Sequence, residues 1–223
     1  MIERYRKSRD WQLFEKEYVY HHCPPAGKSW IDFGCGTGEI TTQLASLGAK
    51  RVIAIDVDPG LLEMTKKRAI LDGVDDRVTV LGGDFYDLRP EPVDVFLAYA
   101  VLHHIPDRLS KAIPIIKSWI KPGGTFICVE PVSLSSSLQW LRNHSGVPMP
   151  ALDPGERQLT EADLRCIEDH FARSTRTYFH VLSRLDKLWP NASRLLRGVD
   201  RVLLALPGST RLAGSVILSG HVD

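Results

Sequence analysis

Runs of apolar, often β-branched residues alternate with stretches of helical periodicity up to residue 130. The runs predict strands over 29–33, 51–56, 78–81, 93–98 and 125–129. Between them, the periodicity predicts helices over 39–47, 59–71 and 107–120, the last one kinked at Pro114. Parallel strands that are buried on both faces are continuously apolar and are joined by helices. We therefore predict an α/β fold with a mostly parallel sheet and helices on both of its faces.

The last third of the chain has a different pattern. It predicts a helix over 134–143, a proline-rich loop over 145–158, and a helix that Thr160 caps and that ends near His170. Strands are predicted over 173–179 and 214–220. Between these two strands, apolar residues recur at helical spacing, which predicts a helical insertion over about 180–212.

Composition excludes several classes of protein. Hydrophobic residues make up 43% of the chain and charged residues 25%, so a core can form and intrinsic disorder is not expected. The net charge of +1 argues against a general nucleic-acid-binding protein. The four cysteines lack CxxC spacing, which argues against a disulfide framework and a zinc site. The longest apolar run is far too short to span a membrane, and the first residues do not resemble a signal peptide, so we expect a soluble cytoplasmic protein.

A glycine-rich turn, Asp32-Phe33-Gly34-Cys35-Gly36-Thr37-Gly38, lies between the first predicted strand and helix. Glycine lacks Cβ, so it permits a tight turn and close approach of a ligand to the backbone. Asp56 ends the second strand, where a carboxylate can accept hydrogen bonds from both hydroxyls of a ribose. The turn alone leaves open a dinucleotide, another adenosine ligand, or no ligand. Its GxGxG spacing differs from the usual GxGxxG of dinucleotide sites, and the Asp32 carboxylate suits an ammonium group better than a pyrophosphate, so the details favour S-adenosylmethionine over NAD.

With these residues the chain resembles the class I S-adenosylmethionine-dependent methyltransferase family. The resemblance is close over residues 28–130 and holds only in outline for the remainder. Five segments carry it, namely 32–38, 54–58, 83–85, 99–105 and 120–126. It implies a Rossmann-like, seven-stranded sheet in a single domain over 1–223. That domain would comprise a helical cap (1–25), a cofactor-binding core (26–131) and an acceptor-side region (132–223).

The resemblance also implies the cofactor-binding residues, of which S-adenosyl-L-methionine is the expected ligand and S-adenosyl-L-homocysteine the product. The glycine turn would wrap the methionine and ribose portions, Asp32 would help hold the amino group, and Asp56 would hold the ribose. The full set of expected cofactor-binding residues is Asp32, Gly34, Cys35, Gly36, Gly38, Asp56, Val57, Asp84, Phe85 and Ala100. Val57, Asp84 and Phe85 would surround the adenine, although Asp84 is alternatively a simple turn carboxylate.

Two adjacent histidines, His103 and His104, follow the fourth predicted strand. An imidazole titrates near neutrality and can act as a general base, and some O-methyltransferases of the family place a catalytic histidine at the position of His103. His104 is expected to be a structural or substrate-contacting residue. The alternative is that both side chains only shape the pocket or cap the next helix. No acidic cluster of the metal-dependent type is recognisable, so no metal site is expected.

The resemblance implies that acceptor selectivity comes from residues 1–25, 132–158 and 180–212. Aromatic residues of the first segment (Tyr5, Trp11, Tyr18 and Tyr20) could form a flap over the cofactor or dock onto the core. The third segment has six basic and two acidic residues, which permits three interpretations: a lid with a solvated basic face, a pocket for an acidic acceptor, or a membrane-surface patch over 181–207.

The sequence therefore predicts methyl transfer to a small-molecule or lipid-like acceptor, most plausibly at oxygen, with N- or C-methylation as the alternative. An NAD-dependent oxidoreductase is a rival, but the chain lacks both the fingerprint spacing and a Tyr-xxx-Lys pair after the fourth strand. A binding protein without catalysis is a third possibility. Nucleic acid is not an expected partner, because the sequence has no Asn-Pro-Pro-Tyr-like tetrapeptide and no basic excess.

Overall fold

A single sheet organises the protein, whose computed structural model describes residues 14–135, 140, 156–182 and 190–223. The sheet has seven strands in the order β3-β2-β1-β4-β5-β7-β6. The strands are β1 (Ser29–Phe33), β2 (Arg51–Asp56), β3 (Val78–Gly82), β4 (Val93–Tyr99), β5 (Ile120–Pro131), β6 (Arg173–Phe179) and β7 (Ser215–His221). Strands β1 to β5 pair in parallel, and β7 is antiparallel to both β5 and β6. The predicted α/β fold with a mostly parallel, seven-stranded sheet is confirmed.

Helices connect the strands in the described ranges. They are α1 (Glu15–His22), α2 (Glu39–Ser46), α3 (Pro59–Leu71), α4 (Leu109–Ser118), α5 (Glu161–Glu168) and α6 (Ser193–Leu204). Helix α3 has the predicted bounds, because the Asp58 side chain accepts hydrogen bonds from the N–H groups of its first turn and Pro59 favours helix initiation. Helix α4 is shorter than predicted at both ends, since Pro106–Arg108 form a 3₁₀ turn before it and β5 already begins at Ile120.

Two apolar clusters cover the two faces of the sheet. Alternate residues of each central strand point to opposite faces, so Trp30 packs in one cluster and Ile31 in the other. One cluster includes buried residues of α4 and α5, and the other includes buried residues of α1, α2 and α3. Strands β1, β2 and β4 are therefore largely apolar because both faces of the sheet are buried there, as the sequence predicted.

Some sequence predictions concern residues outside the described ranges. These are most of the predicted helix 134–143, most of the loop 145–158, Tyr5, Trp11 and the segment 183–189. Tyr18 and Tyr20 are described and belong to α1, where Tyr20 is buried and its hydroxyl donates a hydrogen bond to Gln43 Oε1 at 3.2 Å. Tyr20 thus docks onto the core. Within the described ranges, each helix is too short or too polar to cross a bilayer.

The strand order places a crevice at one edge of the sheet. The connection from β1 leads to β2 on one side, whereas β4 lies on the other side of β1, so the order reverses between β1 and β4. Ligands of open parallel sheets bind at the carboxyl ends of strands at such a point. The segments that follow β1 and β4 are the glycine turn and the two histidines, which the fold therefore brings together.

Candidate cofactor and active site

The glycine turn after β1 is built on positive backbone φ angles. Gly34, Gly36 and Gly38 have φ values of +69°, +53° and +78°. The N–H groups of Gly34 and Cys35 both donate to the Ile55 carbonyl, at 2.8 and 3.0 Å, which ties the turn to β2. A conformation of this kind is strained for any residue with a Cβ, so the three glycines are required by the backbone itself.

The surroundings of the three glycines differ. A Cβ at Gly34 would lie 2.4 Å from Val101 Cγ2, and one at Gly38 would lie 2.8 Å from the Thr65 side chain. At Gly36 no heavy atom comes within 4 Å of such a Cβ. Gly34 and Gly38 therefore allow protein segments to pack closely, whereas the backbone at Gly36 faces open space in which a ligand can approach it.

Two carboxylates lie beneath and beside the turn. Asp32 is 1% exposed and accepts a hydrogen bond from Thr41 Oγ1 at 2.5 Å. Burial raises the pKa of Asp32 to about 6, with the nearby Asp56 charge adding to the increase and the Thr41 hydrogen bond opposing it. Asp56 accepts one hydrogen bond on each oxygen, from the N–H of Gly36 at 2.9 Å and from that of Asp58 at 3.0 Å. These hydrogen bonds fix the orientation of the Asp56 carboxylate, which in turn stabilises the glycine turn.

The expected adenine-side residues have three different environments. Val57 is 73% exposed at the carboxyl end of β2. Asp84 is exposed and its Oδ1 accepts a hydrogen bond from the N–H of Tyr86 at 3.1 Å, so it does act as a turn carboxylate and retains further acceptor capacity. Phe85 is buried, and its ring packs edge-on against Phe33 with 6.0 Å between centroids.

Cys35 is buried within the turn and is not chemically activated. Its Sγ lies 3.8 Å from Thr65 Oγ1. Burial raises the pKa of the Cys35 thiol to about 12, and the charges of Asp32 and Asp56 add to the increase. A thiol with such a pKa remains protonated at neutral pH, so Cys35 is not a nucleophile.

The segment after β4 is held by one buried carboxylate, Glu130 of β5. Glu130 is 1% exposed, and its Oε1 accepts hydrogen bonds from the N–H groups of Val101 and Leu102 at 2.9 and 2.7 Å. Just before them, Ala100 has a φ of +57°, which is rare for a residue with a Cβ, and its N–H donates to the Val129 carbonyl at 2.8 Å. Strained backbone of this kind persists where surrounding contacts fix it and is common at functional sites.

The same carboxylate orients His103. Nδ1 of His103 lies 2.8 Å from Glu130 Oε2, and the ring is 10% exposed. When Nδ1 carries the proton that it donates to Glu130, Nε2 has the lone pair and can accept a proton. This arrangement of carboxylate and imidazole is the one that holds a histidine base in a fixed tautomer and orientation.

His104 has a different partner. Its Nδ1 is hydrogen-bonded to Oε1 of Glu156, and its side chain is 45% exposed. Ligand atoms of His103, His104 and Glu156 all lie within 4.8 Å of one another, a spacing that a divalent cation could also bridge. The hydrogen bonds to Glu130 and Glu156 already account for both Nδ1 atoms, and the absence of a metal stays a prediction.

Helix α1 lies at the same edge of the sheet, where the carboxyl ends of the parallel strands meet. Lys16 Nζ is 2.6 Å from Glu39 Oε1, at the start of α2, and 5.5 Å from the centre of the Tyr99 ring, at the end of β4. Glu15 is buried and bonds to Ser215 Oγ at 2.8 Å and to His180 Nε2 at 2.6 Å. Burial raises the pKa of Glu15, but the hydrogen bond and charge of His180 outweigh this, and the net pKa is below the usual value. The start of α1 is therefore anchored to the first turn of α2, the end of β4, the start of β7 and the residue after β6.

Comparison with known proteins shows which family the core of the chain resembles. Residues 31–128 match a family model described as "Methyltransferase domain". This region is therefore similar to a methyltransferase domain. Its sequence is 36% identical over 98 residues to "Ribosomal protein L11 methyltransferase" of Photobacterium profundum, which covers 44% of this chain and 32% of that protein. The chain thus spans about a third of the length of the curated relatives that it matches first.

Solved structures of low identity have the same fold as the methyltransferase domain. Geranyl diphosphate C-methyltransferase from Streptomyces coelicolor A3(2), determined with Mg²⁺, geranyl diphosphate and S-adenosyl-L-homocysteine, matches with a TM-score of 0.64 and 15% identity. The match covers 94% of this chain and 77% of that one. Magnesium protoporphyrin IX methyltransferase from Synechocystis PCC 6803, with bound S-adenosyl-L-homocysteine, matches with a TM-score of 0.60 and 17% identity, over 100% of this chain and 93% of that one.

Sequence reasoning overlooked three polar residues of the site. Glu130 had a visible signal, because it is the one acidic residue in the apolar run of β5. Thr41 and Thr65 had no comparable signal, since a threonine on a helix is ordinary. In the structure Thr41 bonds to Asp32, and Thr65 Oγ1 donates to the Gly36 carbonyl at 2.9 Å.

Proposed function

We propose that the methyltransferase domain binds S-adenosylmethionine and transfers its methyl group to an oxygen of a small-molecule or lipid-like acceptor. The observation that carries the proposal is the meeting, at one edge of the sheet, of the open glycine turn after β1 and the carboxylate-held His103 after β4. The family match and the S-adenosyl-L-homocysteine bound by the two structural neighbours support the same cofactor.

The residues of the turn fit this cofactor. The backbone at Gly36 is open to a ligand, and each oxygen of Asp56 retains a lone pair that can accept from a ribose hydroxyl. The exposed Val57 side chain offers an apolar surface to an adenine ring. When bound, S-adenosylmethionine supplies an electrophilic methyl group attached to a positively charged sulfur.

Asp32 would act on the amino group of the cofactor. Its ionised form is destabilised by burial, and a nearby ammonium group would compensate that cost. Asp32 is 1% exposed and bonds to Thr41. It would therefore act on the amino group through its charge and through hydrogen-bond partners that the two groups share beneath the turn.

His103 would be the general base. Its Nε2 would accept the proton of an acceptor hydroxyl as the oxygen forms its bond to the methyl carbon and the carbon–sulfur bond breaks. Glu130 would stabilise the resulting imidazolium and keep the ring in place. General-base catalysis of this kind contributes roughly 10²–10⁴-fold to the rate. His104, bonded to Glu156, would contact the acceptor or support the pocket.

Other acceptors and reactions are alternatives. A neutral amine needs less help from a base than a hydroxyl does, so N-methylation would reduce the importance of His103. The named reactions of the comparison proteins include protein methylation and C-methylation, and they do not select an acceptor for this chain. An NAD-dependent oxidoreductase and a binding protein without catalysis are the rivals from other classes.

Calorimetry tests the cofactor first. Titration with S-adenosyl-L-homocysteine is expected to give saturable heat, and titration with NAD⁺ none. Saturation with NAD⁺ and no heat with S-adenosyl-L-homocysteine would overturn the proposal. A panel of hydroxyl, carboxyl and amine compounds, with methyl-labelled cofactor, would then identify the class of acceptor.

Paired variants test the base. Turnover of His103→Gln at saturating cofactor is expected to fall by roughly 10²–10⁴-fold, whereas the matched control His104→Gln should fall much less. Glu130→Gln should lower turnover and also shift the pH profile, which a purely structural role would not do. If His103→Gln binds S-adenosyl-L-homocysteine normally and retains full turnover, His103 is not the base.

A further inference from the structure

Helix α6 has the reverse of the usual orientation for a helix at a protein surface. An amphipathic helix normally turns its apolar side to the core and its charged side to water. In α6, Arg197 and Arg201 pack inward and an apolar stripe lies outside. The interpretation of this segment as a lid with a solvated basic face does not describe the positions of Arg197 and Arg201.

The inward side of α6 is fixed by specific contacts. Asp200 is 4% exposed, and its carboxylate accepts hydrogen bonds from the N–H groups of Val181 and Leu182 at 3.0 and 2.6 Å. The Arg201 guanidinium lies 4.3 Å from the centre of the Phe179 ring, and that of Arg197 lies 3.8 Å from the Phe14 ring. Cation–π contacts and hydrogen bonds to a buried carboxylate therefore set the rotation of the helix about its axis.

The outward side is apolar. Leu195 and Val202 on the helix, and Leu206 just beyond its end, are 70%, 67% and 54% exposed. At 100° per residue, the spacing of seven residues places Leu195 and Val202 on one narrow stripe, and Leu206 follows two residues after the helix ends. A single exposed leucine is ordinary in a protein, but an aligned set marks an interaction surface.

Charge indicates what this stripe contacts. Arg194 directly precedes Leu195 in α6, Arg211 follows in the 3₁₀ turn Ser209–Leu212, and both are exposed. The segment 180–212 has six basic and two acidic residues, and the acidic Asp200 is buried on the inward side. An exposed apolar stripe flanked by arginines complements a lipid surface that has an apolar interior and anionic headgroups.

We propose that α6 binds the surface of an anionic lipid bilayer, with Leu195, Val202 and Leu206 entering the headgroup region. Helix α6 follows β6, which runs in the same direction as β5, so it lies at the same edge of the sheet as His103. Membrane contact would therefore bring the mouth of the crevice towards the bilayer. Delivery of a lipid-like acceptor by this route rests on the proposed function, whereas the lipid contact itself does not.

Vesicle flotation tests the contact with a matched pair of variants. The test variant carries Leu195→Ser, Val202→Ser and Leu206→Ser. The control carries the same change at three exposed apolar residues of α3, namely Met64, Ile70 and Leu71. Vesicles of phosphatidylcholine are used with and without phosphatidylglycerol. The wild type is expected to float with the anionic vesicles, the α6 variant to partition at least about tenfold more weakly, and the α3 variant to partition like the wild type.

Several outcomes would overturn the proposal. These are a wild type that does not float with anionic vesicles, equal flotation with uncharged vesicles, and equal loss in the α3 variant. If the α6 variant instead changes the molecular mass of the protein in light scattering, the stripe is an interface between copies of the chain. Circular dichroism and S-adenosyl-L-homocysteine calorimetry on the same samples separate misfolding and failure of the proposed function from failure of lipid binding.

Discussion

Replacing Asp32 with asparagine removes the buried charge beneath the glycine turn. Burial raises the pKa of this carboxyl from 3.8 to about 6, and in the unfolded chain it returns to its ordinary value. The folded pKa is the higher of the two, so the folded state binds the proton more tightly. Ionisation of Asp32 therefore lowers the free energy of unfolding as the pH rises from about 4 through 6, and the full cost persists at neutral pH.

The size of the effect follows from the pKa difference. Two pKa units correspond to about 3 kcal/mol once both states are fully ionised. Part of that cost is already present in weak acid, so the change between about pH 4.5 and pH 8 is about 2 kcal/mol. The asparagine side chain has no charge to desolvate, so its contribution does not depend on pH. The stability of the variant relative to the wild type should thus increase by about 2 kcal/mol across that range.

Urea unfolding at several pH values, without ligand, measures this difference. Comparing slopes with pH avoids the constant cost of fitting an amide into the site of a carboxylate. Asp94→Asn is the matched control, because burial is outweighed there by hydrogen bonds and charge from Lys121 and Ser29, which lower the pKa of Asp94 to about 2. The stabilising contribution of Asp94 is lost only as the pH falls towards that value, so its difference from the wild type should be flat over the same range.

The same variant links stability to ligand binding. If Asp32 interacts with the cofactor's ammonium group, affinity of the wild type for S-adenosyl-L-homocysteine should fall as the pH drops below about 6, by up to tenfold per unit. Asp32→Asn should bind more weakly at pH 8 and lack this dependence. A stability difference that does not change with pH would refute the burial argument. Unchanged binding by the variant would refute the role of Asp32 at the ligand.

Two further predictions concern the glycine turn and the histidine pair. Gly34→Ala should destabilise the protein by about 2 kcal/mol or more, because its Cβ would overlap Val101 in addition to the strain of a positive φ. Gly27→Ala has a similar φ but nothing within 4 Å of its Cβ, so chemical denaturation should give a loss of only about 1 kcal/mol, and equal losses would contradict the packing argument. Removal of divalent cations with EDTA should leave methyl transfer unchanged, because carboxylates already bind both Nδ1 atoms of the histidine pair. Activity that is lost and then restored by an added metal ion would show that the pair holds a cation.

The core elements could be predicted because their signals are local. Strand β6 and helix α3 have the predicted bounds. For α3, Pro59 and the capping Asp58 mark the start of the helix in the sequence. Strand β5 extends beyond the predicted 125–129, to Ile120 at one end and Pro131 at the other. Its ends pair with β4 and β7, and such pairing depends on neighbours that are distant in the sequence. Local composition around Gly123 and Gly124 gave no reason to expect it.

The contacts of the candidate site were less accessible to prediction. The glycine turn, Asp56 and the histidine pair lie in compact segments, so roles for them could be proposed from the sequence. Glu130 is 27 residues from His103, and nothing local relates the two. They meet because β4 and β5 are parallel neighbours, with Tyr99 opposite Val129, so the segment that follows β4 lies beside Glu130 at the same edge of the sheet. The partner of His104 lies farther away still, 52 residues along the chain.

Helix α6 shows a different limit of prediction from hydrophobic periodicity. Helical spacing correctly indicated an amphipathic segment, but it does not state which side faces the protein. The usual rule assumes that the surface beneath a helix is aliphatic, so that burial of leucine is the strongest available contact. Beneath α6 the surface is formed by the rings of Phe14, Tyr18 and Phe179, and arginine binds aromatic faces through its charge and its planar shape. An aromatic surface and a buried aspartate can therefore hold Arg197 and Arg201 inward, which leaves Leu195 and Val202 outside, where the proposed bilayer contact would cover them.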